Sequence, residues 1–281
     1  MTDRLMQRLS VDGTELEYEE RGAGEPVLLI HGSIVGDAMA PLMAEPALAG
    51  RYRLIHYHRR GFAGSARAEG KVSISRQAAD ACAVLKHLGV ARAHIAGHSY
   101  GGVIALQLAL DAPEVVHSLA LLEPALLRVP AAERWFAEVG GPSVARYEAG
   151  DVAGAIDTFA RGVIGEDGIA ALETHVPGAL AQAVADADTF FRTELPALMT
   201  WNFGPEEARR VMQPVLGVLG ADSDAVTPVF GEGHALLRGW WPQAEPFVLP
   251  GATHALEYMN PRGMAEGLAA FFDRHPLPTP A

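Results

Sequence analysis

The chain has 281 residues, of which 49% are hydrophobic and 20% are charged, a composition typical of a globular protein and not of a disordered one. Its formal net charge of −12 disfavours a nucleic-acid partner, because the phosphates would be repelled. The single cysteine, Cys82, excludes an internal disulfide, and no apolar run predicts a membrane span; we therefore expect a cytoplasmic protein without a membrane partner.

The first part of the chain alternates between short apolar runs and helical patterns. Residues 5–11 and 14–20 predict two strands around Asp12-Gly13, a pair typical of tight hairpins. Further apolar runs predict buried strands at residues 26–30, 53–57, 93–96 and 117–122. Apolar residues at helical spacing predict helices at residues 74–88 and 103–110.

The pattern changes between residues 128 and 213, where Ala-rich helical segments such as 152–163 and 178–184 replace the apolar runs. Strands are predicted again at residues 214–219 and 246–249, with helices at 230–240 and 261–272. Alternating strands and helices predict right-handed β-α-β units and a parallel sheet with an antiparallel start. We therefore expect a core formed by residues 1–127 and 214–281, with residues 128–213 as an inserted helical cap.

Residues 97–101 read Gly-His-Ser-Tyr-Gly and match the pattern Gly-x-Ser-x-Gly. The motif lies between a predicted strand and a predicted helix, the context in which its serine sits on a sharp turn with the hydroxyl presented outward. The helix that follows directs backbone N–H groups and the positive end of its dipole at the same point. Ser99 is the predicted nucleophile.

A serine hydroxyl needs a base to remove its proton, and the base needs an acid to orient it. In this topology the chain order is serine, acid, histidine. His254 follows the last predicted strand, where catalytic groups of open α/β sheets gather, and is the predicted base. Three carboxylates are candidates for the acid because each follows a buried strand: Glu123, Asp222 and Asp224.

Five motifs in order resemble the α/β-hydrolase-fold superfamily over nearly the whole chain. They are Leu-Leu-Ile-His-Gly at 28–32, Tyr-His-Arg-Arg-Gly-Phe-Ala-Gly-Ser at 57–65, the serine motif at 97–101, Asp-Ala-Val-Thr-Pro at 224–228 and Gly-Ala-Thr-His at 251–254. The resemblance implies an α/β fold, with a mostly parallel eight-stranded sheet flanked by helices and an inserted helical cap.

The resemblance favours Asp224 as the acid, because the family's Asp-x-x-x-Pro segment usually carries it. A loop one residue longer than the family's commonest form keeps Asp222 as an alternative. Glu123 is a second alternative, since some relatives carry the acid after the preceding core strand.

The resemblance also implies an oxyanion hole formed by the backbone N–H groups of Ser33 and Tyr100, each donor contributing about 3 kcal/mol of transition-state stabilisation. His31 begins the oxyanion loop, where a supporting hydrogen-bonding role is expected, and aromatic residues of the cap are expected to shape the pocket. The predicted substrate-binding residues are His31, Trp135, Phe136 and Trp201.

His58 stands where relatives often have an aspartate, and it would share one face of a strand with His56. Zinc requires at least three protein ligands, and the sequence places only two. We therefore expect neither a metal nor a cofactor.

The resemblance implies a serine hydrolase that cleaves a carboxylic ester or related acyl bond of a small, mostly apolar substrate through an acyl-enzyme. The same motifs also serve C–C bond hydrolases, lactonases, iminopeptidases and cofactor-free haloperoxidases. A non-catalytic ligand-binding protein on this fold is a further alternative. The expected partner is a small molecule, bound by a monomer or a homodimer.

Overall fold

The computed structural model describes residues 6–67 and 70–278, so predictions that concern residues 1–5, 68–69 and 279–281 lie outside the described residues. One eight-stranded sheet forms the centre of the described molecule. Its strands are β1 Gln7–Val11, β2 Thr14–Arg21, β3 Glu25–Ile30, β4 Tyr52–Tyr57, β5 Ala93–His98, β6 Val116–Leu122, β7 Val215–Gly220 and β8 Glu245–Leu249.

The strand order is β1-β2-β4-β3-β5-β6-β7-β8. β1 pairs antiparallel with β2, and β2 with β4, whereas all other neighbours are parallel. Asp12 and Gly13 form the predicted turn with φ values of 46° and 79°, as a tight hairpin requires. The predicted fold class is confirmed.

Fourteen α-helices occur in the described residues. Those before β6 are α1 Ala40–Ala44, α2 Pro46–Ala49, α3 Ile74–His87 and α4 Tyr100–Asp111. Between β6 and β7 lie α5 Ala131–Trp135, α6 Gly141–Glu148, α7 Val152–His175, α8 Ala179–Ala185, α9 Leu195–Thr200 and α10 Pro205–Ala208, with π-helical segments at Phe136–Gly140 and Thr189–Glu194. After β7 come α11 Ser223–Val226, α12 Val229–Trp240, α13 Leu256–Met259 and α14 Pro261–Arg274.

Both faces of the sheet are covered, which explains why the central strands read as continuous apolar runs. Side chains alternate between the two faces of a strand. Leu28 of β3 therefore packs in one cluster with Val103 of α4, whereas Leu29 packs in another with Leu268 of α14.

The segment between β6 and β7 is helical and has an apolar cluster of its own, which includes Trp135 and Ile156. That cluster extends onto Ile34 and Phe230 of the core, so the helices lie over the loops at the carboxyl end of the sheet. None of the helices in the described ranges is both long and apolar enough to cross a membrane.

The register of the sheet brings the candidate site together. His98, the last residue of β5, pairs with Leu122, the last residue of β6. The next residues, Ser99 and Glu123, therefore leave neighbouring parallel strands at the same height.

Two helical glycines offer a matched test of packing beside this turn. A Cβ on Gly101 would lie 2.2 Å from the carbonyl oxygen of Ile30, whereas a Cβ on Gly239 of α12 would meet nothing within 4 Å. We predict that Gly101→Ala lowers the free energy of unfolding by about 1–3 kcal/mol. Gly239→Ala should raise the free energy of unfolding by up to about 1 kcal/mol. Urea unfolding followed by circular dichroism measures both changes, and a Gly101→Ala protein as stable as the wild type would contradict the packing described.

Candidate active site

Ser99 occupies the turn between β5 and α4 in a strained backbone conformation, with φ 53° and ψ −117°. Its N–H donates to the carbonyl oxygen of Leu122 at 2.9 Å, and its own carbonyl oxygen accepts from Ala125 N at 3.1 Å. The turn is therefore held by the neighbouring strand and by the loop that follows it. This geometry matches the predicted strand–turn–helix context of the serine motif.

Glycines flank the turn because no side chain fits there. A Cβ on Gly97 would lie 2.3 Å from the carbonyl oxygen of Gly101. A Cβ on Gly102 would lie 2.8 Å from the Cβ of Pro124. The strand, the turn and the helix thus approach each other closely enough to fix the position of Ser99.

His254 is bound by Glu123. The Nδ1 atom of His254 lies 2.5 Å from Glu123 Oε2, and both side chains are buried. The other carboxyl oxygen of Glu123 accepts from Gly220 N at 2.7 Å and from Ser223 Oγ at 2.5 Å. The ring of Phe230 stacks on His254 with centroids 3.7 Å apart. These contacts fix both the position and the plane of the imidazole.

The preference for Asp224 as the acid is therefore corrected. Asp224 is exposed on α11 and accepts a hydrogen bond from Gly231 N at 3.1 Å. Asp222 is also exposed, at the N-terminal end of the same helix. Glu123, the alternative after β6, reaches His254 because its φ of 43° turns the chain sharply as it leaves the strand.

Burial dominates the acid–base properties of this pair. It raises the pKa of Glu123 to about 7, although the hydrogen bonds from Ser223 and Gly220 oppose the change. It also lowers the pKa of His254 well below its ordinary value, and the nearby His98 lowers it further. When Glu123 is ionised, Nδ1 of His254 carries the proton, which leaves Nε2 as the basic atom. Nε2 is buried and makes no hydrogen bond with any described residue.

A second buried pair supports the backbone of His254. His98 Nδ1 lies 2.9 Å from Glu257 Oε1, and His98 Nε2 lies 3.0 Å from the carbonyl oxygen of His254. Burial alone would lower the pKa of His98, but the charge of Glu257 and its hydrogen bond raise it above the ordinary value. A charged His98 can then donate to the His254 carbonyl while it pairs with Glu257.

The two predicted oxyanion donors flank the serine. Tyr100 is the first residue of α4, so its N–H has no acceptor within the helix. Ser33 lines the same cavities as Ser99, and the next residue, Ile34, has φ 60°, which is unusual for a β-branched residue. That both N–H groups point at one substrate oxygen stays a prediction.

A buried arginine holds the loop that carries Ser33. The Arg59 guanidinium donates to the carbonyl oxygens of His31 and Gly32, at 3.2 and 2.7 Å. It also forms a buried ion pair with Glu194 of the helical segment. The loop is therefore connected to the core and to the helices above it.

Two small cavities adjoin Ser99, with volumes of about 50 Å³ and about 40 Å³. Ser33, Ser99, Phe159 and Val163 line both. Apolar side chains form most of the remaining walls, and no Lys, Arg, Asp or Glu of the described ranges lines either cavity. The first is also lined by Ile34, Val35, Ala38, Ala160, Ile164, Leu172 and Tyr258, and the second by Ala125, Leu127, Trp135, Phe190, Leu195, Leu198, Val229 and Phe230.

Of the four predicted substrate-binding residues, only Trp135 lines one of these cavities. Phe136 is 40% exposed and lines neither. Trp201 stacks on Phe203 and donates to Gln107 Oε1 at 2.8 Å, also outside both cavities. His31 is fully buried, and its Nε2 accepts from Arg59 N at 3.0 Å. Among the four predicted residues the geometry at Ser99 therefore favours Trp135, and the substrate-binding roles of His31, Phe136 and Trp201 stay predictions.

Sequence reasoning did not identify Phe159, Phe230 or Glu257 as parts of the site. Phe159 and Val163 are four residues apart in α7 and so share one helix face. That spacing was visible in the sequence, but it does not show which face is turned to Ser99. Phe230 meets His254, and Glu257 meets His98, only in the folded chain.

Residues 25–258 match the family model described as the alpha/beta hydrolase fold. The chain belongs to the α/β-hydrolase-fold family. An enol-lactonase from Burkholderia xenovorans LB400 is an α/β-hydrolase-fold structure of similar shape, with a TM-score of 0.75 and 22% identity over 95% of this chain and 100% of that one. At this identity the likeness shows the fold alone.

Two curated relatives both come from Pseudomonas putida. This α/β-hydrolase-fold chain is 29% identical over 292 residues to a dihydrolipoyllysine-residue acetyltransferase component of an acetoin cleaving system, covering 96% of this chain and 70% of that one. It is 39% identical over 117 residues to a 2-hydroxymuconate semialdehyde hydrolase, covering 39% and 40%. The matched region spans less than half the length of several curated relatives.

The contact between His254 and Glu123 can be tested without an activity assay. A strong, charge-assisted hydrogen bond deshields the Nδ1 proton, so the wild type should show a far-downfield imidazole N–H signal in its proton NMR spectrum. We predict that Glu123→Gln moves this signal upfield, whereas Asp224→Asn leaves it in place. His254→Gln identifies the resonance by its loss. A signal that moves in Asp224→Asn and not in Glu123→Gln would restore Asp224 as the acid.

Proposed function

We propose that this chain is a serine hydrolase that cleaves a carboxylic ester or related acyl bond of a small, uncharged, mostly apolar substrate. The observation that carries the proposal is the buried hydrogen bond from His254 to Glu123, with His254 and the strained Ser99 on the wall of one cavity. A base fixed by an acid beside an exposed serine is the arrangement that activates a hydroxyl as a nucleophile. The printed name of one curated relative, a hydrolase, agrees with this class of reaction.

In the proposed reaction the Ser99 hydroxyl turns toward His254 Nε2 and gives it its proton while Oγ attacks the substrate carbonyl carbon. The N–H groups of Ser33 and Tyr100 stabilise the negative charge that develops on the carbonyl oxygen. The C–O bond to the alcohol then breaks, and His254 returns the proton to the leaving oxygen. A water molecule then gives a proton to His254 Nε2 and attacks the acyl carbon. The bond from this carbon to Ser99 Oγ breaks, His254 returns the proton to Oγ, and the carboxylic acid is released.

The cavities define the proposed substrate class. No Lys or Arg of the described ranges lines the cavities, and the charge of His98, which lines the first, is already paired with Glu257. A substrate carboxylate or phosphate would therefore be buried without a partner, which is costly. The two cavities have volumes of about 50 Å³ and about 40 Å³, and Ser99 lines both. The two cavities therefore favour a substrate with short apolar groups on either side of the scissile carbonyl.

A fluorophosphonate probe and p-nitrophenyl butyrate test the nucleophile and the base. We predict that Ser99→Ala abolishes labelling and lowers kcat by about 10⁴-fold or more, and that His254→Gln has an effect of similar size. The control, Ser75→Ala, alters an exposed hydroxyl on α3 and should behave as the wild type. Turnover of the ester by Ser99→Ala at the wild-type rate would refute the proposal, and stoichiometric uptake without repeated turnover would favour the ligand-binding alternative.

Two tryptophans provide a matched test of the pocket. Trp135 lines the smaller cavity, whereas Trp201 lies outside both. We predict that Trp135→Ala raises the ratio of kcat/KM for p-nitrophenyl octanoate to that for the acetate by about 10-fold or more, because the removed indole leaves room for additional methylenes. Trp201→Ala should leave the ratio unchanged. An equal change of the ratio in both variants would show that cap stability, and not the cavity wall, determines chain-length preference.

A further inference from the structure

A second cluster of chemically active side chains lies where β4 ends beside the loop of residues 31–37. One ligand atom from each of Asp37, His56 and His58 lies within 4.8 Å of the others. His58 Nε2 is 2.9 Å from Asp37 Oδ1, and His56 Nε2 is 3.0 Å from the carbonyl oxygen of Gly36. We propose that Asp37, His56 and His58 bind a divalent transition-metal ion of the Zn²⁺ class, with the Gly36 carbonyl as the fourth ligand.

The hydrogen bonds behind the two histidines support this assignment. His56 Nδ1 lies 3.2 Å from the carbonyl oxygen of Leu29, and His58 Nδ1 lies 3.2 Å from Glu17 Oε2. Histidines that bind metals through one ring nitrogen typically donate the other N–H to a backbone carbonyl or a carboxylate. Here both Nδ1 atoms face such acceptors, and both Nε2 atoms face the cluster.

The surroundings of His56 give an independent reason. Both of its ring nitrogens lie within hydrogen-bond distance of a carbonyl oxygen, yet a neutral imidazole has only one N–H to donate. A charged ring would donate to both oxygens, whereas in a neutral ring whose Nδ1–H donates to Leu29 the lone pair of Nε2 is directed at the Gly36 oxygen. A cation that binds both Nε2 and this oxygen converts the repulsion into two coordinate bonds.

The donor set selects the kind of ion. Two imidazoles with one carboxylate suit zinc and similar transition metals better than magnesium or calcium, which prefer oxygen ligands. Tetrahedral zinc with bonds of about 2.0–2.1 Å requires ligand atoms about 3.3 Å apart. Binding would therefore separate His58 Nε2 from Asp37 Oδ1, now 2.9 Å apart, and shorten the wider spacings of the cluster. The carboxylate of Asp37 offsets part of the charge of a divalent ion, and Glu17, whose other oxygen pairs with Arg8, lies behind His58. The Asp37 side chain is 36% exposed, which gives the ion access from solvent.

The proposed ion would have a structural role. It would connect the end of β4 to Gly36 and Asp37, in the same loop as Ser33, and would restrict the motion of that loop. The proposed hydrolysis uses no metal, so this inference does not depend on the function proposed above.

The experiment is calorimetric titration of ZnCl₂ into metal-stripped protein, with thermal unfolding measured in parallel. We expect the wild type to bind one Zn²⁺ per chain with a raised Tm. Asp37→Asn, which keeps the size of the side chain, and His58→Asn should each weaken this binding by about 100-fold or more. Glu17→Gln removes the negative charge beside His58 Nδ1, together with the ion pair to Arg8, and should weaken the binding by about 10-fold.

Controls separate this site from adventitious zinc binding and from misfolding. His175→Asn changes an exposed histidine at the end of α7 and should bind zinc as the wild type does. Circular dichroism verifies the fold of each variant, and Glu17→Gln tests the site if His58→Asn fails to fold. Absence of saturable binding, or equal affinity in the wild type, Asp37→Asn and Glu17→Gln, would overturn the proposal and leave His58 as an ion-pair partner of Glu17 and Asp37 only.

Discussion

The backbone of Ser99 is the constraint on which the candidate site depends. A non-glycine residue at φ 53° and ψ −117° costs about 1–3 kcal/mol and persists only where its surroundings impose it. Here β5 ends and α4 begins on either side of the residue, and backbone hydrogen bonds to Leu122 and Ala125 close the turn. The closed turn brings residue 97 so close to Gly101 that it leaves no space for a Cβ. Residue 97 is therefore a glycine.

The same kind of strain recurs at the other parts of the site. Ile34 has φ 60° and Glu123 has φ 43°. One strained residue therefore follows Ser33, the proposed oxyanion donor, and the other is Glu123, the proposed acid. At Glu123 the strain has a visible effect, because it turns the carboxylate toward His254 and the N–H of Gly220. Of the five described non-glycine residues with positive φ, three lie at this site, whereas Asp12 forms the hairpin turn and Ala63 follows β4. Three strained residues around one point agree with a preorganised reaction site.

The sequence was sufficient for the features that local chemistry determines. Ser99, His254 and the order of strands and helices could be predicted, because glycines, apolar runs and strand ends specify them. The acid could not be chosen correctly, since Asp224 and Glu123 both follow buried strands and only the tertiary structure shows which reaches the imidazole. Trp135 and Trp201 were equally good candidates for the pocket, because helical spacing does not show which face meets Ser99. Likewise, His56 and His58 were visible as a pair, but Asp37 joins them only through the fold of the intervening loop.

The buried pair of Arg59 and Glu194 connects these local features. Arg59 holds the carbonyl oxygens of His31 and Gly32, and Glu194 belongs to the helical segment above the sheet. Loss of one partner of a buried ion pair leaves an uncompensated charge, at a cost of about 3–5 kcal/mol. The loop that carries Ser33 is therefore connected to the helices through Arg59, which Gln77 of α3 also binds. Changes around Glu194 act on the proposed oxyanion hole through Arg59, although Glu194 lines neither cavity at Ser99.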